Sequence, residues 1–252
     1  MSGERADAAA IAVVLLDVEG TTTPIAFVTQ VLFPYARTHL RSYLERHAAS
    51  ADHERLVARL HDEHAAASRD ADAPSRWIDE PIAARVASIA AFVEWLMDRD
   101  RKSTALKELQ GRIWESGYQR GEIAGEVFPD VPRALRRWRD RGVAVAIFSS
   151  GSVLAQQLLF RHSTAGDLTS LIRWHFDTAI GTKGDPDSYR RIAAEVGCAA
   201  RTVLFVSDVV RELDAARAAA MNVRLSIRPG NAAPPDSHGY EAIRTFDQLE
   251  ID

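Results

Sequence analysis

A doubly wound α/β fold, built on a parallel sheet with helices on both faces and a helical insertion after the first strand, is predicted for this chain of 252 residues. Three observations predict it. Short apolar runs of β type alternate with helical patterns through the second half of the chain. A long early stretch is helical in pattern with few strand candidates. Each cluster of chemically capable polar residues follows the C-terminal end of a strand candidate, the edge at which open α/β sheets bind ligands.

Taken in order, residues 11–16 form an apolar run too short for a signal-peptide core and ending in acid, so they read as a buried strand. The turn Gly20-Thr21-Thr22 follows. Residues 23–125 then carry the insertion. Ile82, Val86, Ile89, Val93 and Leu96 recur at three- and four-residue steps, the signature of an amphipathic helix. Thr104 is placed to cap a further helix carrying Leu106, Leu109 and Ile113. Residues 48–75 are polar and alanine-rich, with Leu56, Val57 and Leu60 as the helix anchors. Trp77, Trp95 and Trp114 read as core residues of the insertion.

After Phe128-Pro129-Asp130-Val131-Pro132 the texture changes. A helix over 132–141 leads to a strand over 143–148, which ends at Ser149-Ser150-Gly151-Ser152; a helix over 153–160 follows. A short strand over 176–180 precedes Gly181-Thr182-Lys183, and a helix over 186–196 leads to a strand over 203–206 that ends at Ser207-Asp208. A last βα unit includes residues 223–227. The division expected is a catalytic core of residues 10–22 and 126–252, interrupted by a helical cap domain of residues 23–125.

Composition narrows the function. A hydrophobic share of 46% and a charged share of 26% are ordinary for a globular protein. A net charge of -4 gives no reason for a nucleic-acid or anionic-membrane partner. No apolar run approaches the roughly 20 residues of a membrane span. The start of the chain is polar and acidic, with no basic segment leading into a signal peptide. Cys198 is the one cysteine, so no intrachain disulfide forms, and a cytoplasmic protein is expected.

Four clusters carry the chemistry: Asp17 with Glu19, Ser149 with Ser150, Lys183, and Asp208. Each alone has an ordinary structural role as a helix cap, a polar loop or a solvated charge. Together they suit phosphoryl transfer. A carboxylate can attack phosphorus to form an acyl phosphate, and a hard cation held by Asp17 and Asp208 offsets the repulsion between the two anions. The Ser149-Ser150-Gly151 turn, just before a helix, offers hydroxyls and N–H groups to phosphate oxygens. Lys183 adds a compact positive charge for the transferring group.

The order Asp17-x-Glu19-Gly20-Thr21, Ser149, Lys183, Asp208 resembles the four motifs of the haloacid-dehalogenase-like superfamily. Most phosphatases of that superfamily have a second Asp where this chain has Glu19. That departure, with Asp17–Ile25, Val31–Ala36, Ile113–Tyr118, Val127–Val131, Phe148–Ser152, Leu158–Ser163 and Arg228–Asn231, resembles the enolase-phosphatases of methionine salvage. The resemblance spans nearly the whole chain and is weakest over residues 48–75.

The resemblance implies a Rossmann-like core and a substrate, 2,3-diketo-5-methylthiopentyl 1-phosphate, that is enolised and then dephosphorylated to an acireductone. It implies Asp17 as nucleophile and magnesium ligand, Asp208 as second ligand, and the main-chain carbonyl of Glu19 as third, with one Mg2+ per chain. The Glu19 side chain is left for proton transfer; Ser149, Ser150 and Gly151 bind substrate together with Lys183. Glu212, four residues beyond Asp208, orients the magnesium surroundings or the lysine, unless it is a surface residue. A monomer is implied.

Other candidates have plainer readings. His61 and His64 share a helix face, but without a third ligand a solvated face is expected. His162 is expected to serve structure, and Arg211 to face solvent. Two other functions stay open: a general magnesium-dependent phosphomonoesterase of the same superfamily, and a non-catalytic binding protein on this scaffold.

Overall fold

A computed structural model describes residues 10–48, 50–70, 72–234 and 239–251. The chain divides into two compact units, one ending at Val28 and resuming at Ala124, the other spanning Thr29–Ile123. Among the described residues no helix is long and apolar enough to cross a membrane.

The first unit is built on six strands: β1 (Val13–Leu16), β2 (Ala144–Phe148), β3 (Trp174–Phe176), β4 (Val203–Ser207), β5 (Asn222–Ser226) and β6 (Ala242–Ile243). Their order is β3-β2-β1-β4-β5-β6, and every pairing is parallel. Parallel strands covered on both faces need apolar side chains in both directions. The run Val13-Val14-Leu15-Leu16 meets that need, and all four residues are buried.

Register does the rest. Leu16 pairs with Ile147 on one side and Val206 on the other, so Asp17, Ser149 and Asp208 leave the sheet at one edge. The progression of strands reverses between β1 and β4, the switch point at which sheets of this order open a crevice.

Helices cover the sheet: α6 (Val131–Asp140), α7 (Val153–Arg161), α8 (Pro186–Glu195) and α9 (Val210–Ala218). Tyr189, Ile192, Leu213 and Ala216 from α8 and α9 are buried in one cluster with Val13, Leu15, Phe148, Val203 and Phe205. A short helix, α1 (Ile25–Phe27), also belongs to this unit and buries Phe27.

The second unit begins one residue into a π-helical turn, Val28–Leu32, and contains α2 (Phe33–His47), α3 (Ala51–Ala67), α4 (Ile82–Asp98) and α5 (Thr104–Gln119). Leu40, Leu44, Leu56, Leu60, Val93 and Leu109 are buried here. Arg85 on α4 makes a two-pronged pair with Glu54 on α3, at 2.9 and 2.7 Å.

Several local expectations are corrected. Ser103, not Thr104, caps α5: its Oγ accepts the Leu106 N–H at 2.8 Å. The strand expected at 176–180 is β3 and ends at Phe176, because Asp177 turns the chain by accepting the Ala179 N–H at 2.8 Å. The strand expected at 223–227 is β5 (Asn222–Ser226), and among the described residues the next element after it is β6 rather than a helix. His64 is buried, not solvated. Its Nε2 lies 2.8 Å from the Ser75 carbonyl, and its ring packs between Trp77 and Phe92.

The break between units also falls six residues later than the Thr22/Thr23 junction expected from texture. Amides of Thr21, Thr22 and Thr23 all donate to the Val18 carbonyl, and Phe128 donates to the Thr22 carbonyl at 2.9 Å, which ties this turn to the returning segment of the first unit.

Candidate active site

Asp17 continues β1 by one residue, donating its N–H to the Val206 carbonyl at 3.0 Å. The residue is 2% exposed and its carboxylate is well held. Oδ1 accepts the Val18 N–H at 2.7 Å and lies 2.6 Å from Lys183 Nζ; Oδ2 accepts the Ser207 hydroxyl at 3.0 Å.

Behind it the chain turns through Gly20 at φ +72°, a conformation that favours glycine. A Cβ there would meet Asp208 Cγ at 2.7 Å and Asn231 Oδ1 at 3.1 Å, so the missing side chain is what admits Asp208. The loop after β5 grips the same turn. Asn231 Nδ2 donates to the Gly20 carbonyl at 2.9 Å, and Arg228 Nε to the Thr21 carbonyl at 3.1 Å. Arg228 is itself fixed, paired with buried Asp130 at 2.9 Å and flanked by the rings of Phe128 and Phe246.

The second loop follows β2. Ser149 is buried, accepts the Gly151 N–H at 2.9 Å and lies 3.5 Å from Glu19 Oε2. Gln156 holds the loop from below, donating to the carbonyls of Gly151 at 3.2 Å and Phe176 at 2.8 Å. Ser152 caps α7 by accepting the Ala155 N–H. Ser150 is exposed and Gly151 half-buried on this rim.

Lys183 joins the acids. Its Nζ lies 2.6 Å from Asp17 Oδ1 and 2.6 Å from Glu212 Oε2, and its carbonyl accepts the Tyr189 hydroxyl at 2.7 Å. Burial alone lowers an ammonium, but Asp17 and Glu212 outweigh it and leave Lys183 above its ordinary value. Four carboxyl groups, Asp17, Glu19, Asp208 and Glu212, share this single ammonium. Their environment reflects the imbalance. Burial and then the charge of Asp17 push Asp208 up to about 6 and Glu212 up to about 7. The same two causes, in the same order, raise Glu19.

This arrangement fits a small hard cation. Among the described residues no three His, Cys, Asp or Glu side chains form a metal-holding group. The donors on offer are instead two carboxylates, a main-chain carbonyl and the buried, unpartnered Asn231 Oδ1. Such a partial oxygen set suits an ion that keeps several waters.

The structure therefore brings together Asp17, Glu19, Ser149, Lys183, Asp208 and Glu212. It does not bring His61 or His64, which lie in the other unit. His162 directly follows α7. Arg211 is exposed, as expected, with its guanidinium packed against Gly184. Two cavities of about 330 Å³ lie elsewhere, one beside Val143 and Arg173 and one beside Tyr43 and Arg112, and neither is lined by a residue of this site. Sequence reasoning missed Ser207, Arg228 and Asn231. For Ser207 a signal existed, a lone hydroxyl ending the apolar run Val203–Val206.

Comparison with known proteins gives a family model described as a haloacid dehalogenase-like hydrolase, matching residues 11–220. A Synechococcus elongatus protein named Enolase-phosphatase E1 is 48% identical over 95% of this chain and 98% of its own length. A Xenopus tropicalis protein of the same name is 43% identical over 96% of this chain and 95% of its own. The crystal structure of the Unknown transcript 4 protein of Saccharomyces cerevisiae is 33% identical, with a TM-score of 0.77, covering 95% of this chain and 100% of that one.

Proposed function

The chain belongs to the haloacid dehalogenase-like hydrolases and, within them, to the enolase-phosphatases, and on that premise we propose that it converts 2,3-diketo-5-methylthiopentyl 1-phosphate to the acireductone and phosphate. The reading rests on one observation above the others: Glu19, in place of a second Asp, sits beside Asp17 with its carboxyl facing Ser149.

Enolisation comes first. Glu19, raised by burial and by Asp17, takes the proton from a carbon beside a carbonyl, which a carboxylate of ordinary acidity does poorly near neutral pH. Glu19 passes that proton to the substrate's carbonyl oxygen, so the enol forms, and its raised carboxyl takes up another proton from solvent before phosphoryl transfer. Asp17 attacks phosphorus, the ester P–O bond breaks with its electron pair on the leaving oxygen, and protonated Glu19 supplies that oxygen's proton. Glu19, now a carboxylate, takes a proton from water; the water oxygen attacks the aspartyl phosphate, and Asp17 leaves with its bond pair as a carboxylate again. Lys183, drawn from its pairing with Asp17, balances charge on the phosphoryl oxygens, and Ser150 and Ser149, the latter held by the Gly151 N–H, orient them.

One Mg2+ per chain would be held by Asp17, Asp208 and the Glu19 main-chain carbonyl. When bound it supplies positive charge against the repulsion between nucleophile and phosphate. Glu212 holds Lys183 in line. A monomer in the cytoplasm completes the reading, in keeping with a chain that has one cysteine.

The test follows enol absorbance and phosphate release together on the diketone phosphate, with magnesium and then with a chelator. Both signals, lost on chelation, are expected. Turnover of simple phosphomonoesters alone would point to a general phosphatase, and no turnover of any kind would overturn the reading.

A further inference from the structure

Ser207 closes β4 with a fully buried hydroxyl that the reaction above leaves unused. A buried hydroxyl costs stability unless it is hydrogen-bonded, and this one is bonded three ways. Its Oγ lies 3.0 Å from Asp17 Oδ2, 3.0 Å from Glu212 Oε2, and 3.1 Å from the Val209 N–H, which donates to it.

A serine hydroxyl has one proton, so it serves one of the two carboxylates at a time. Lys183 bridges the same two acids from the other side, at 2.6 Å to each. Asp17, Lys183, Glu212 and Ser207 thus close a ring of alternating acceptors and donors. Within it Oδ1 of Asp17 has two partners, Val18 N–H and Lys183, whereas among the described residues Ser207 alone donates to Oδ2.

We propose that Ser207 is a positioning residue for the nucleophile: its proton holds the Asp17 carboxylate against rotation about Cβ–Cγ and swings to Glu212 when Oδ2 is taken up by the reaction. The swing exchanges one carboxylate acceptor for another at equal distance, so the buried hydroxyl is never left without a partner. The role rests on the phosphohydrolase reading and leaves its substrate open.

Ser207→Ala and Ser207→Thr are compared with the unaltered protein on the diketone phosphate and on p-nitrophenyl phosphate, with thermal unfolding measured in parallel. Ser207→Ala is expected to lower kcat about tenfold, the worth of one hydrogen bond to a charged group, with KM within twofold. Ser207→Thr, which keeps the hydroxyl, is expected to stay within threefold of the unaltered protein. Unchanged kcat in Ser207→Ala, a loss confined to KM, or a Thr variant as poor as the Ala variant overturns the proposal. If Ser207→Ala fails to fold, Ser207→Cys carries the test: reduced kcat supports the role and full kcat refutes it. Failure of the unaltered protein on the diketone alone removes the substrate assignment and leaves this role standing; failure on both substrates removes the premise and the role together.

Discussion

Gly20→Ala isolates the close approach on which the site depends. Two separable costs follow from the geometry. The first is backbone strain: Gly20 sits at φ +72°, where a residue with a Cβ costs about 1–2 kcal/mol. The second is displacement. The new methyl would stand 2.7 Å from Asp208 Cγ, so the carboxyl carbon must retreat to reach the 3.4 Å of ordinary contact, and its nearer oxygen must move further. That is a shift of about 1 Å in a proposed metal ligand, and such a misplacement costs about a hundredfold in rate. Because Asp208 is the free end of a side chain, the fold survives.

Gly142→Ala is the control. Gly142 has φ +76° and nothing within 4 Å of the methyl that alanine would add, so it bears the strain without the displacement. Urea unfolding should then show both variants losing about 1–2 kcal/mol, while phosphate release falls about a hundredfold in Gly20→Ala alone. Equal rates in the two variants would refute the account of Gly20.

Arg228→Met leaves Asp130 buried without its cation and should cost about 3–5 kcal/mol in urea unfolding; a loss below about 1 kcal/mol would show the pair to be dispensable. Glu19→Asp draws the carboxyl back by one methylene and should slow enolisation at least tenfold, by the scale of acid–base contributions, in the ultraviolet assay. Unchanged enolisation and phosphate release would sink the explanation for Glu19. Asp208 and Glu212 have folded-state values, about 6 and about 7, above their ordinary ones of 3.8 and 4.5. The folded state therefore binds protons more tightly, and the penalty present at pH 8 is relieved as pH falls through 7 and 6. Metal-free protein should melt higher at pH 6 than at pH 8, with Asp208→Asn and added Mg2+ each flattening the slope. A slope unchanged by Asp208→Asn would exclude that carboxyl as its source.

The central strands and most of the proposed site were legible because their signals are local, whereas β6, two residues long, carried none. A strand covered on both faces must be a short unbroken apolar run, and Val13–Leu16 and Val203–Val206 are such runs wherever the rest of the chain goes. The reactive residues stand one or two positions after such runs, Asp17 after Leu16, Ser149 after Phe148 and Asp208 after Val206 and Ser207, so they could be placed at one edge from the chain alone. Lys183 and Glu212 followed from their order in the motif and from helical spacing.

Tertiary structure decided what depends on partners far away in sequence. The hydroxyl of Ser207 reaches Asp17 across 190 residues, Arg228 reaches Thr21 across 207, and Asn231 reaches Gly20 across 211. No periodicity encodes such pairings, because a hydrogen bond is settled by which loops meet once the strands are ordered β3-β2-β1-β4-β5-β6. His64 teaches the same point from the helical unit: its helix face reads as polar, yet Trp77 and Phe92 close over the ring, and burial is a property of the packed unit rather than of the residue. By itself, then, the sequence determined the central strands, the order of the reactive ends along the chain and the kind of chemistry they support. Only the tertiary structure decided how those ends are held, because four acids crowded around one ammonium stay in place through donors contributed from the far side of the chain.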